Sequence, residues 1–314
     1  MAKTNTTAPS VAARVQADEP RRERRRRFRV SFEWRMMLPS LLLLALISFI
    51  PLFFMIWMSL SDVSLMGGVH MQFTGGKNWS ELIHDGDLWS SWRISVIYFV
   101  ATLGLELIVG MGMAMLLHEI VFAKNVVLSI LLMPMFVAPV IVGLLGRLLT
   151  DPTFGLYAWV VAHLGGPTNL LGDGKTALVT TILLDVWEWT PLIMLITLAG
   201  LSSVPQALLE AASLDGAGYW RRFVYIVLPS ISGIILVALL IRAMDAIRYF
   251  DIIWVTTNGG PADSTKIVPL RLYETAFRFF DLGYASAIGL SMLVVTIVVA
   301  KIFVRLLERR GATT

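Results

Sequence analysis

The chain has 314 residues, 56% of them hydrophobic and 15% charged, and a formal net charge of +4. Soluble domains carry about a quarter charged residues, so this composition, with a mean hydropathy of +0.73, excludes a soluble globular protein and indicates an integral membrane protein. The chain has no cysteine, which excludes disulfides and thiolate metal sites.

Met1 to Pro20 is small, polar and aperiodic, the composition of a disordered segment. Arg21, Arg22, Arg24 to Arg27, Arg29 and Arg35 come next and lead into an apolar stretch. A basic run of this kind suits nucleic acid, anionic lipid or topogenic retention. Its place beside a membrane span favours cytoplasmic anchoring with contact to membrane lipids, so residues 1–30 read as a basic cytoplasmic tail and no nucleic acid is expected. The apolar stretch is longer than a signal-peptide core and lacks a small-x-small cleavage site, so it is expected to stay as the first helix.

About 20 apolar residues cross the hydrocarbon as a helix, and six such windows lie within residues 31–314: Met36–Leu60, Ser95–Leu117, Val126–Leu149, Ala177–Leu201, Ile231–Val255 and Tyr284–Leu306. The fifth contains Arg242, Asp245, Arg248 and Asp251 and is expected as a span with a polar face. The fold class is therefore all-α, with six transmembrane helices. The basic residues before the first span, and Arg305, Arg309 and Arg310 after the last, place both termini in the cytoplasm. The outward loops are Ser61–Ile94, Thr150–Thr176 and Thr256–Gly283, none long enough for a second folded domain. His70, His84, His118 and His163 lack ligand spacing, and Gly75-Gly76-Lys77-Asn78 lacks the pattern of a phosphate loop. Neither a metal site nor catalytic residues are expected, and ATP has no place in this chain.

Between the fourth and fifth windows, residues 202–230 form an inward loop with the run Glu210-Ala211-Ala212-Ser213-Leu214-Asp215-Gly216-Ala217, then Phe223, Ile226, Leu228 and Pro229. Pro205 opens a helix that continues through Leu214. Asp215-Gly216 breaks it, with Gly216 at positive φ and Asp215 bonding its own backbone or capping the next segment. A second helix is expected from Tyr219 to Val227, stopped by Pro229. The segment Glu210 to Pro229 resembles the EAA loop of ATP-binding-cassette importer permeases, with one departure, Gly233 where a second proline is frequent. The resemblance implies a cytoplasmic coupling helix in which Glu210, Ala211, Ala212, Asp215 and Gly216 meet an ATPase.

Ionisable residues inside a membrane face a bundle interior or a wet cavity, or pair with one another. In the fourth window Asp185, Trp187, Glu188 and Trp189 precede Pro191, and in the fifth Arg242, Asp245 and Tyr249 fall at spacings of one helix face, with Arg248 and Asp251 as a second pair. Aromatic rings beside carboxylates and guanidinium suit a carbohydrate or polyol. The segment from Asp245 through Phe250-Asp251 to Asn258-Gly259-Gly260-Pro261 is similar to sugar-importer permeases of the maltose and glycerol-phosphate type. That resemblance implies Arg242, Asp245 and Tyr249 on the solute path. Trp187 and Glu188 join them by chemistry alone. It also implies a non-catalytic multi-pass subunit of the bacterial cytoplasmic membrane, an ATPase dimer holding ATP and Mg, a second homologous permease and an extracytoplasmic solute-binding protein. The alternative is a self-sufficient secondary carrier using Glu106, Asp185 and Asp245 as an ion relay, which leaves the EAA loop unexplained and lacks an evident inverted repeat.

Overall fold

A computed structural model of the chain describes residues 32–64, 68, 70–120 and 122–311. The expected tail, 1–30, lies outside the described residues. The elements run α1 (Phe32–Ser59), β1 (Ser61–Ser64), β2 (His70–Phe73), α2 (Lys77–His84), α3 (Gly86–Glu119), α4 (Lys124–Leu132), α5 (Pro139–Leu149), α6 (Leu156–His163), α7 (Gly174–Ser202), α8 (Gln206–Leu214), α9 (Tyr219–Arg222), α10 (Leu228–Ala246), α11 (Asp251–Thr256), α12 (Val268–Phe277) and α13 (Leu282–Gly311). Two contact units divide between Leu52 and Phe53. The described part of the first is the start of α1, whose Leu42, Leu43 and Phe49 are exposed.

Among the described residues, five helices are long and apolar enough to cross a membrane: Met36–Ser59, Gly86–Glu119, Gly174–Ser202, Tyr219–Ala246 and Leu282–Arg309. The expected third span, Val126–Leu149, is a bent pair, 124–136 and 139–149, with 93° between its halves. Two prolines cause the break. Pro134 sits in a 3-10 turn, Met133–Phe136, and Pro139 opens α5 while Ala138 is held extended at ψ 136°, as sterics require before proline.

The fifth span also differs from expectation. Its helix begins at Tyr219, and Pro229 does not stop it. Phe223–Val227 is a π-helical turn in which the Leu228 amide donates to the Phe223 carbonyl, five residues back. In α register the proline ring would press on the Tyr225 carbonyl four residues back and leave it unbonded, and the wider turn relieves this. At the other end the helix stops at Ala246 rather than Val255, and α11 starts afresh at Asp251. The break turns Tyr249 into the core while Arg248 stays exposed. Tyr249 is therefore not on the helix that carries Arg242 and Asp245, and Arg248 donates from Nε to the Met244 carbonyl at 3.2 Å instead of pairing with Asp251.

α3 and α7 pack along one another. Gly110 permits the approach: a Cβ there would lie 3.0 Å from Ile193 Cβ and 3.1 Å from the Met194 backbone nitrogen. Beside this contact Ala114, Leu117, Met194, Leu198, Leu201, Ile231 and Ile235 form one apolar core, joining α3, α7 and α10. Towards the other end, Tyr98, Ile182, Val186, Ile253, Ile267 and Leu270 form a second.

The expected outward loops carry local structure. β1 and β2 pair antiparallel with Ser61 opposite Phe73. Asp85 caps α3 by accepting from the Asp87 and Leu88 amides at 2.9 and 3.0 Å and accepts from the Tyr284 hydroxyl at 2.6 Å. Burial raises the Asp85 pKa, but these donors and Arg271 together hold it below the usual carboxylate range. α12 is tied to α3 through Ser95 Oγ, which accepts from the Val268 amide at 2.9 Å, and through Arg271 to Ser91 and Asp87.

Gly110→Val puts two methyl groups against Ile193 and the α7 backbone. Overpacking of this kind costs about 1–3 kcal/mol, so the variant is expected to melt earlier than the parent in detergent. An unchanged melting temperature by fluorescence-detected size-exclusion chromatography would remove Gly110 from the α3–α7 contact.

Candidate functional site

Two places carry chemistry beyond packing. The first is the α8–α9 hairpin. α8 ends in a Schellman motif: the Ala217 amide donates to the Ala212 carbonyl at 2.9 Å and the Gly216 amide to the Ser213 carbonyl at 3.1 Å, with Gly216 at φ +75°, the left-handed position that glycine takes without strain. Asp215 is the C-cap residue, while Gly218 stands at the N-cap of α9, which has no side-chain cap. Glu210, Ala211, Asp215 and Gly216 are exposed and Ala212 is half-buried. Around them Leu208, Leu214, Trp220 and Tyr225 also face outward, Leu214 at 90% exposure. This is a polar turn in an apolar surround. Leu209, on the inner side of α8, packs on the Ala114–Ile235 core, which anchors the hairpin to the bundle.

The second place lies in the bundle, and its pivot is Arg242. Its guanidinium is fully buried, and each of its three nitrogens faces a carboxylate. Nε donates to both oxygens of Glu106 on α3 at 3.0 Å. The second terminal nitrogen lies 2.6 Å from Asp185 on α7 and 3.0 Å from Glu106, and the first lies 3.2 Å from Asp245, one turn on in α10. Trp189 and Tyr249 flank the cation, with ring centroids 5.1 and 5.7 Å from its central carbon, a cation–π arrangement. The two rings meet edge to face at 6.4 Å. The Tyr249 hydroxyl donates to Glu188, also on α7, at 2.5 Å. Glu106, Asp185 and Glu188 are buried, whereas the Asp245 side chain keeps 39% exposure. Asp245 is the open edge of the cluster.

Of the expected path residues, Arg242, Asp245, Tyr249 and Glu188 come together here. Trp187 does not. It sits on the opposite face of α7, half-exposed, lining two apolar cavities, one with Tyr157, Val160 and Leu183 and one with Val109, Met133 and Pro191. Trp189, not Trp187, stands beside the cation. Glu106 and Asp185 are full members of the cluster and were absent from the expected path. Their signal was present, because Glu106 is the single acid in an apolar window and a buried carboxylate needs a partner, but the partner lies 136 residues away.

Three comparisons set this chain among known proteins. A family model described as "Binding-protein-dependent transport system inner membrane component" matches residues 11–312. The chain is similar to the trehalose/maltose transport system permease protein MalF of Thermococcus litoralis, with 34% identity over 84% of this chain and 89% of that protein. It is also similar to the trehalose transport system permease protein SugA of Mycobacterium tuberculosis, with 30% identity over 85% and 86%. In fold it is similar to a chain of a bacterial ABC transporter that imports the acidic polysaccharide alginate, with a TM-score of 0.76, 20% identity, and 90% and 96% covered.

Arg242→Met leaves three carboxylates without their cation. Breaking a buried ion pair costs about 3–5 kcal/mol, so the variant is expected to accumulate poorly and melt early. Neutralising Glu106 and Asp185 as well, with Glu106→Gln and Asp185→Asn, should restore part of the loss. A single variant as stable as the parent in a detergent melt would contradict the structural role of the cluster.

Proposed function

The chain belongs to the family of binding-protein-dependent transport system inner membrane components, and on that premise we propose that it is the membrane-spanning subunit of an ATP-driven importer for a sugar, polyol or related solute. It is a multi-pass membrane protein and a non-catalytic subunit. The observation that carries the rest is the exposed, Schellman-closed α8–α9 hairpin, which continues without interruption of its helix into α10 and thus to Arg242.

In this reading both termini and residues 202–230 are cytoplasmic. Glu210 and the N-terminal part of α8 meet a separate ATPase dimer, which holds ATP and Mg, and Ala211 and Ala212 permit close approach. Gly216 sets the turn. A second homologous permease lies against the open edge at Asp245, and an extracytoplasmic solute-binding protein delivers solute to the loops that hold α2, α6 and α12. The sugar class is supported by the transport named for MalF and SugA and by the composition of the centre. Asp245 offers an open acceptor for hydroxyl groups beside the rings of Trp189 and Tyr249. ATP hydrolysis on the partner would rock the hairpin, and the helix from Tyr219 to Ala246 would carry that movement to the centre.

The assembly is tested by mass spectrometry of the proteins that co-purify with the tagged chain from its own host in mild detergent, together with the energy source of uptake. An ATPase, a second permease and ATP-dependent uptake are expected. Recovery of the chain alone, with uptake driven by a proton gradient, would favour a secondary carrier.

Apart from its own chain neighbours, nothing lies within 4 Å of where a Gly216 Cβ would sit, so a substitution there acts through the backbone. Gly216→Val imposes a left-handed strain of at least about 1–2 kcal/mol and is expected to abolish solute-stimulated ATP hydrolysis while the protein still inserts. Gly216→Asn, which tolerates that conformation, should retain most of it. Normal stimulation in the valine variant would end the coupling role.

Asp245→Ala removes the exposed member of the cluster and leaves Glu106 and Asp185 on Arg242. Uptake is expected to fall more than the amount of inserted protein does. A proportional fall in both would make Asp245 a structural ion-pair partner only.

A further inference from the structure

An arginine on a solute path is ordinarily read as an anion binder, since its planar fork suits phosphate and carboxylate. Here the fork is already occupied. All three Arg242 nitrogens face carboxylates of this chain, from α3, α7 and α10, and its two faces carry Trp189 and Tyr249. The one carboxylate of the group that remains open is that of Asp245, and a further acid, Glu188, is buried and held by the Tyr249 hydroxyl. One cation therefore stands among four acidic side chains.

No other cation corrects this balance among the described residues. Arg248 turns away to the Met244 carbonyl. The basic residues of the segment leading outward from the centre are also engaged by acids: Lys266 by Asp263 at 2.7 Å and Glu274 at 3.1 Å, Arg271 by Asp87 at 3.5 Å, and Arg278 by Glu274 at 2.9 Å. Arg147 on α5 and Lys175 at the start of α7 form no ion pair with the central carboxylates.

We propose that this centre passes polyhydroxylated solutes that are neutral or positively charged and rejects those bearing phosphate, sulfonate or uronate groups, with Asp245 as the specificity-determining residue. The inference rests on the importer reading above and deepens it. Sugar hydroxyls donate to the open carboxylate of Asp245. An anionic solute would instead meet an acidic acceptor of like charge and no free donor fork. Relatives of similar identity are named for trehalose on one side of this division and for sulfoquinovosyl glycerol and sn-glycerol 3-phosphate on the other, and the arrangement of charges assigns the present chain to the first.

Whatever the importer carries must pass this chain, so the charge of that solute can be read from a deletion of the corresponding gene in its own host. Radiolabelled uptake would be measured for trehalose, maltose, glycerol and glucosamine, and for sn-glycerol 3-phosphate, a sulfonated sugar and a uronate oligosaccharide, before deletion, after it, and with the chain restored. Loss to background confined to neutral or cationic solutes, and reversed by restoration, is the expected result. Loss of any phosphate, sulfonate or uronate uptake overturns the charge selectivity while leaving the carbohydrate importer in place. Unchanged uptake of every solute overturns both readings together.

Discussion

The structure depends on keeping one guanidinium charged where water does not reach. A buried cation is tolerated only if hydrogen-bonded acids meet it at close range, and for Arg242 they come from three helices. That requirement fixes the depth of α3 relative to α7, and of both relative to α10. Apolar packing alone would set these less sharply, because a Leu or Ile surface tolerates sliding that a fork of directed bonds does not. Gly110, one turn from Glu106, brings α3 close to α7, which carries Asp185, the second acid on the arginine. Glu106 reaches the arginine of α10 only if α3 also lies near α10.

Local chemistry was readable from the amino acids, and long-range pairing was not. The turn at Gly216 followed from an Asp-Gly step after a run of helix formers, and its positive φ and paired carbonyls are the usual product of such a step on its own. Glu106, Asp185 and Arg242 were each visible as costly residues in apolar windows, yet nothing in the order of residues says which acid meets which base across 136 positions. Trp187 and Trp189 were equivalent on paper, and the rotation of α7 separates them. The prolines were the most deceptive residues. Pro134 and Pro139 bend a window that looks continuous when averaged for hydropathy, whereas Pro229 was expected to stop a helix that passes through it.

The two sites belong to one mechanical element. From Tyr219 to Ala246 the chain is a single helix of 28 residues, which at 1.5 Å per residue is about 40 Å. One end grows from the exposed hairpin, and the other carries Arg242 and Asp245. The middle is braced on α3 and α7 by Ile231 and Ile235. A rigid helix pivoting at mid-length would displace its two ends in opposite directions.

The π turn at Phe223–Val227 gives that helix a second property. It holds one residue more than the α register requires, so the side-chain directions on its two sides are out of phase by one position, about 100° of rotation. A heptad count carried from Trp220 down to Arg242 therefore points to the wrong face. Two relatives with the same residues at both ends, one with the wide turn and one without, would present different faces to the bundle unless their lengths differed by one residue. Sequence spacing across this stretch is thus a poor ruler, and aligned positions beyond it correspond in space only when the bulge is shared.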